Sequence, residues 1–221
     1  MKKAISSLSC LLFCIVLSSL SYAAVIFDNG VGVGNAVQAV RSGTYPIGGT
    51  EHHVADDFSF TTQQTITDVH WLGYTENTTN DFTIIIYDTM PTQPGQNVVY
   101  SSDVGYVTPV DTGSVIDLGT AGELPITEYS THITPFEAQA GVTYWIEIFN
   151  SLQSLYSWFW VYGDGGNMYE ASTGETFSLS AYEGSTAFQL TNDAAVPEPS
   201  TLLLLGVGIA GLAVWRRMKK S

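Results

Sequence analysis

Four tryptophans and a tyrosine, Trp71, Trp145, Trp158, Trp160 and Tyr162, are the side chains of this 221-residue chain best suited to gripping a sugar. A flat ring packs on the apolar face of a pyranose, while nearby carboxylates and amides bond its hydroxyls. Trp158 and Trp160 share one face if 157–162 is extended, because side chains alternate along a strand. A β-sheet core needs large aromatic rings as well. Two roles are therefore open for these residues: an exposed carbohydrate platform, or buried core.

Oxygen ligands for a hard cation come from two places. Asp56 and Asp57 are adjacent, and Asp164-Gly165-Gly166-Asn167 offers carboxylate, amide and backbone oxygens in one loop. Asp56, Asp57, Asp164 and Asn167 are thus candidate calcium ligands, and no other cofactor is expected. The spacing fits no complete EF-hand loop, and Asp-Gly-Gly-Asn is equally ordinary turn chemistry. Glu51-His52-His53 offers imidazoles, but neighbours on an extended chain point apart. His70 falls in a strand, and His132 is isolated. There is no Gly-x-Ser-x-Gly elbow and no His-Glu-x-x-His zinc motif. A glycosidase carboxylate pair is not excluded by composition, because carboxylates are plentiful.

Charge narrows the partners. Between 24 and 196 there is one basic residue, Arg41, against twenty acidic ones, a formal charge of −19. Such a body repels phosphate backbones and anionic headgroups, which rules out nucleic acid as a partner. Phosphate chemistry is equally disfavoured with no lysine and a single arginine. Both cysteines, Cys10 and Cys14, precede the body, which removes disulfides, thiolate catalysis and cysteine zinc sites from it.

The elements that must position these side chains read as β throughout. Segments 54–60, 65–74, 82–87, 97–102, 143–149, 157–162 and 186–190 are rich in β-branched and aromatic residues. Clusters of Asn, Asp, Gly and Pro separate them, as at 88–96 and 163–167. In 144–149, Tyr144, Ile146 and Ile148 share one face, with Trp145, Glu147 and Phe149 opposite. Glu147 between two aromatics suggests a partly wet second face. The best short helical candidate outside the termini is 35–40. A hydrophobic fraction of 45% with only 13% charged residues supplies enough apolar surface for one real core. The expected fold is all-β: an antiparallel two-sheet sandwich, jelly-roll-like, over 24–192.

Both ends read as addresses. Lys2 and Lys3, the apolar run 10–20 and the small residues Ser21 and Ala23 make a signal peptide over 1–23, as a helix. Signal peptidase is expected to cut between Ala23 and Ala24. At the other end, a linker over 193–201 contains Pro197-Glu198-Pro199, whose prolines keep the backbone extended. The apolar helix 202–215 would span about 21 Å, short of a hydrocarbon core of about 30 Å. Arg216, Arg217, Lys219 and Lys220 follow in a tail, 216–221, that should stay cytoplasmic. A short transmembrane helix with a basic stop suits a temporary anchor.

Pro197-Glu198-Pro199, the glycine-containing apolar helix and the basic end together resemble the PEP-CTERM sorting signal of Gram-negative bacteria. The resemblance implies recognition by an exosortase, a membrane-embedded enzyme that cuts near the Pro-Glu-Pro motif, often in bacteria that secrete exopolysaccharide. On that basis the three motif residues are substrate for the sorting enzyme. Phrases such as Val54-Ala55-Asp56-Asp57-Phe58 and Gly141-Val142-Thr143-Tyr144-Trp145 resemble β-sandwich domains of other bacterial surface proteins, which bears on fold alone. The expected protein is an exported, exosortase-sorted surface or matrix protein without catalytic activity, in contact with exopolysaccharide. It is anchored in the inner membrane as a precursor and reaches the cell surface or matrix later. A carbohydrate-binding adhesin and a secreted glycoside hydrolase are the alternatives.

Overall fold

Alternation of apolar and polar side chains governs this chain because each strand must bury one face and leave the other to its surroundings. The computed structural model describes residues 23–30, 39–44, 50–75, 80–90, 93–117, 122–151, 158–164, 168–172, 175–179 and 184–193. In chain order the strands are β1 Ala24–Asp28, β2 Ala39–Arg41, β3 Gly43–Thr44, β4 Glu51–Ser59, β5 Gln64–Thr75, β6 Asp81–Tyr87, β7 Val98–Tyr106 and β8 Val110–Asp117. They continue with β9 Glu123–Ala138, β10 Thr143–Asn150, β11 Trp158–Gly163, β12 Tyr169–Ser172, β13 Ser178–Leu179, β14 Ser185–Thr186 and β15 Phe188–Asn192. No helix occurs among the described residues.

Two sheets result. One runs β1-β15-β5-β11-β14, with β9 on the other side of β5, β8 beyond β9, and β2 against β11. The second runs β13-β12-β4-β3-β10-β6-β7. Among the described residues, pairing is antiparallel except for the Asn150–Gly43 contact of β10 with β3. The body, Ala24–Asn192, is one compact unit.

The sheets meet face to face through aromatic side chains. Trp71 of β5 and Trp158 of β11 each set an edge against Phe82 of β6, with ring centroids 5.1 Å apart. Val54, Phe58, Ile84, Ile86, Ile146 and Ile148 complete the second sheet's inner face. Smaller clusters cover both outer faces. The β8–β9 hairpin lays Ile116 and Ile126 against Tyr74, Val161 and Ala187 of the first sheet. Phe177 packs with Ala55 and Ala171 on the second, flanked by Met90, Trp145 and Tyr169.

Three expectations need revision, and those for the two termini fall outside view. Val40, at the end of the helix expected over 35–40, lies in β2. Glu147 does not face water: it is fully buried, because the Phe177 cluster roofs the face it occupies. The long β8–β9 hairpin is absent from the strands expected above, since Glu123–Ala138 alternates with more exposed than buried positions. The signal helix, the helix 202–215 and the basic tail lie outside the described residues.

Candidate functional site

Strand alternation decides the aromatic question for three tryptophans. In β11, Trp158 and Trp160 point inward while Phe159 is half-buried on the outer face. Trp71, Trp158 and Trp160 are at most 2% exposed. Trp71 stacks on Tyr129 at 5.6 Å and 11°, and the Trp160 indole N–H donates to the Ala187 carbonyl at 3.0 Å. A sugar cannot reach these rings, so the carbohydrate platform is withdrawn for them. Trp145 is half-buried in the outer cluster, and Tyr162 is half-buried against the main core.

The calcium candidates are likewise not assembled. Asp56 points into the body, level with Ile146 in the β4–β10 register, so Asp57 must point the other way. Asp56 is fully buried. Its Oδ2 accepts from Ser185 Oγ at 2.5 Å, Thr186 Oγ1 at 2.8 Å, Asn29 Nδ2 at 3.3 Å and the Thr186 amide. The Asp57 amide donates to its Oδ1 at 2.9 Å. Burial pushes the Asp56 carboxyl above the usual carboxylate range, although these donors oppose the rise. Burial raises Asp57 too. Asp56 Oδ2 is saturated by its donors, and the whole carboxyl is sealed from solvent, so it offers a cation no open site. Asp164 is exposed, and its backbone N–H donates to the Asn29 carbonyl at 2.6 Å. Asn167 lies outside the described residues, as do Pro197, Glu198, Pro199, Arg216, Arg217, Lys219 and Lys220. Ala23 directly precedes β1, which Ala24 opens.

A second buried carboxyl was not singled out as a site by its residue type. Glu147 of β10 bonds Nδ1 of His53 on β4 at 2.6 Å and accepts from the Tyr87 hydroxyl of β6. His53 also lies 3.4 Å from Glu51 and stacks on Phe149 with centroids 4.8 Å apart. Burial pulls the His53 pKa down, but the hydrogen bond and charge of Glu147, helped by Glu51, outweigh it and raise it. Burial and then Glu147 push the Tyr87 phenol far up. His52, on the opposite side of the strand, is lowered by burial and by the charge of Arg41. The available signal was positional: one carboxylate in the middle of an otherwise apolar strand must have partners.

One cleft opens on the first sheet's outer face, with a volume of about 400 Å³. Asp28 of β1, His70 and Leu72 of β5, Gln189 of β15, and Thr112 and Glu128 of the β8–β9 hairpin line it. His70 Nδ1 and Glu128 Oε1 are 3.5 Å apart, and Gln189 Nε2 donates to Asp28 at 2.8 Å. His132, which sequence left isolated, pairs with Asp68 at 3.1 Å elsewhere on the same sheet.

Beyond the body, residues 195–217 match the PEP-CTERM protein-sorting motif. The match begins three positions after the last strand, β15. It marks an exported chain directed to the cell envelope or surface and handled by an exosortase. No curated protein matches the chain.

Proposed function

We propose that this chain is a non-enzymatic surface or matrix protein whose C-terminal segment is a disposable anchor. Signal peptidase releases the leader after Ala23. The helix 202–215 and the basic tail then hold the precursor in the inner membrane. Exosortase cuts near Pro197-Glu198-Pro199, and the β body passes to the surface or to the exopolysaccharide outside it. The observation that carries this reading is the PEP-CTERM match over 195–217, set immediately after an all-β body. Tails of this design are removed, so the mature protein keeps no transmembrane helix. On this non-enzymatic reading, neither of the two fully buried carboxyls among the described residues is free to act as acid or base. Asp56 and Glu147 are both spent on hydrogen bonds inside the body and open on no cleft residue.

Mass spectrometry of surface material tests the scheme. The expected chain begins at Ala24 and ends near Pro197-Glu198-Pro199, with or without a conjugate. An intact end at Ser221 would make the anchor permanent and defeat the sorting reading.

A further inference from the structure

We propose that the cleft on the first sheet's outer face binds an amino-sugar unit, a ligand carrying a free ammonium beside its hydroxyls. This names a ligand for the surface protein proposed above and rests on that reading, since an exported body is what meets such a polymer.

The cleft's hydrogen-bond inventory carries the inference. Asp28 Oδ1 accepts from the Gly30 amide at 2.8 Å, and its Oδ2 accepts from Gln189 Nε2 at 2.8 Å. The Thr112 hydroxyl proton is spent on the Ile126 carbonyl at 2.7 Å. His70 turns Nδ1 towards Glu128. What remains for a ligand is rich in acceptors: the spare lone pairs of Asp28 and Glu128, the Gln189 carbonyl oxygen and the second lone pair of Thr112 Oγ1, which already accepts from the Ser114 amide at 3.2 Å, against one further Gln189 N–H and His70 Nε2. Among the described residues, neither lysine nor arginine lines the cleft.

With two carboxylates and neither lysine nor arginine among the described lining residues, a ligand that brings donors and positive charge is favoured. An ammonium supplies three donors and no acceptor, and the charge that two carboxylates want. It cannot serve four groups drawn from two strands and a hairpin by itself, so hydroxyls must serve the rest. Leu72 gives the floor an apolar patch for the C–H face of a ring. A cleft of about 400 Å³ falls within the range of small-ligand sites. The carboxylates are reachable: Glu128 is 48% exposed, beside a His70 that is 29% exposed. The −19 body raises the local concentration of any cation, and a uronic acid would be repelled twice over.

The test uses mature protein recovered from the cell surface and calorimetric titration at physiological ionic strength. Four probes are compared: chitosan oligomers, their N-acetylated counterparts, cadaverine and calcium chloride. Chitosan oligomers should bind saturably, and acetylation should weaken binding about tenfold or more, the worth of one charge-assisted contact. Glu128→Gln and Asp28→Asn should each produce a similar loss. Asp103→Asn, an exposed carboxylate on β7 away from the cleft, should leave affinity unchanged. The proposal is overturned by no saturable binding, by equal binding of the acetylated oligomers, or by equal binding of cadaverine. Calcium binding that Glu128→Gln abolishes would make the cleft a metal site instead. Equal weakening by Asp103→Asn and Glu128→Gln would reduce the effect to the diffuse field of an acidic surface. None of these outcomes touches the mass of the C-terminus, so binding and sorting fail separately.

Discussion

Replacing Gly73 with alanine places one methyl group where the first sheet has no room for it. A Cβ at Gly73 would lie 2.5 Å from Nε1 of Trp158 and 2.6 Å from both Cε2 and Cζ2. Carbon does not sit within 3.0 Å of a ring atom, so one of the two must move. Trp158 cannot easily give way, because Phe82, Tyr129 and Trp160 pack around its indole at 5.1, 6.3 and 6.4 Å. Gly73 itself is held on both sides, by Trp160 of β11 and Thr127 of β9. Its backbone is not left-handed, so the substitution adds no dihedral strain and isolates the steric term. Overpacking of this kind costs about 1–3 kcal/mol, and three sub-van-der-Waals contacts point to the upper end. At about 2–4 °C per kcal/mol for a body of this size, the melting temperature should fall by about 4–12 °C. Urea denaturation gives the free energy directly, and the m-value should not change. Trp158→Phe removes the indole atoms that clash, so Gly73→Ala should cost at least about 1 kcal/mol less in that background. Additive costs in the double-mutant cycle, or an unchanged midpoint for the single variant, would refute the contact.

His53 is raised above its ordinary value of 6.5, so its contribution to stability is complete below that pH and is lost as pH climbs through the raised value. His53→Gln should flatten this decline in melts run across the range, and an equally steep decline in the variant would disprove the assignment. Glu198→Ala should leave the melting temperature of the body intact while a longer, membrane-bound precursor accumulates on immunoblots. Reducing agent should not change the melting curve, since the body from Ala24 onward contains no cysteine. Tryptophan fluorescence of the native body should resist quenching by acrylamide, a neutral quencher that the acidic surface does not repel, because Trp71, Trp158 and Trp160 are sealed between the sheets.

The all-β class was readable because periodicity of two recurs wherever a strand buries one face. The expected segments 65–74, 82–87 and 143–149 fall inside Gln64–Thr75, Asp81–Tyr87 and Thr143–Asn150. Pairing made the short strands unreadable. Gly43–Thr44 and Ser185–Thr186 are strands only because Glu51, His52, Tyr162 and Gly163 lie opposite them. The β8–β9 hairpin was missed for a related reason. It extends the first sheet at its edge, and its polar outward positions mask the few buried ones, Ile116 and Ile126. Trp145-Glu147-Phe149 looked half wet because its roof, Phe177 and Met90, comes from distant sequence. The cleft gathers residues from β1, β5, β15 and that hairpin, so no local spacing could announce it. The sorting motif lay at the other extreme, with proline, apolar run and basic stop contiguous in sequence.

The scarcity of basic residues explains how the interior of this body is built. A buried carboxylate ordinarily finds an arginine or lysine, because burying a lone charge is expensive. Here the one guanidinium, Arg41, lies over the Phe159 ring, 5.4 Å from its centroid, on the first sheet's outer side. The second sheet therefore satisfies its two buried carboxyls with neutral or weakly basic donors. Asp56 takes hydroxyls from Ser185 and Thr186, a carboxamide from Asn29 and two backbone amides. Glu147 takes a phenol and an imidazole. Each set ties together strands far apart in sequence: Asp56 joins β4 to β14 across the sandwich, and Glu147 joins β10 to β4 and β6 within one sheet. Hydroxyl and amide donors bond in fixed directions and only at close range, so the carboxyls act as register pins: a strand displaced by one residue would leave a charge buried without partners. A body without lysine thus has its register specified by directional, short-range hydrogen bonds to buried carboxyls.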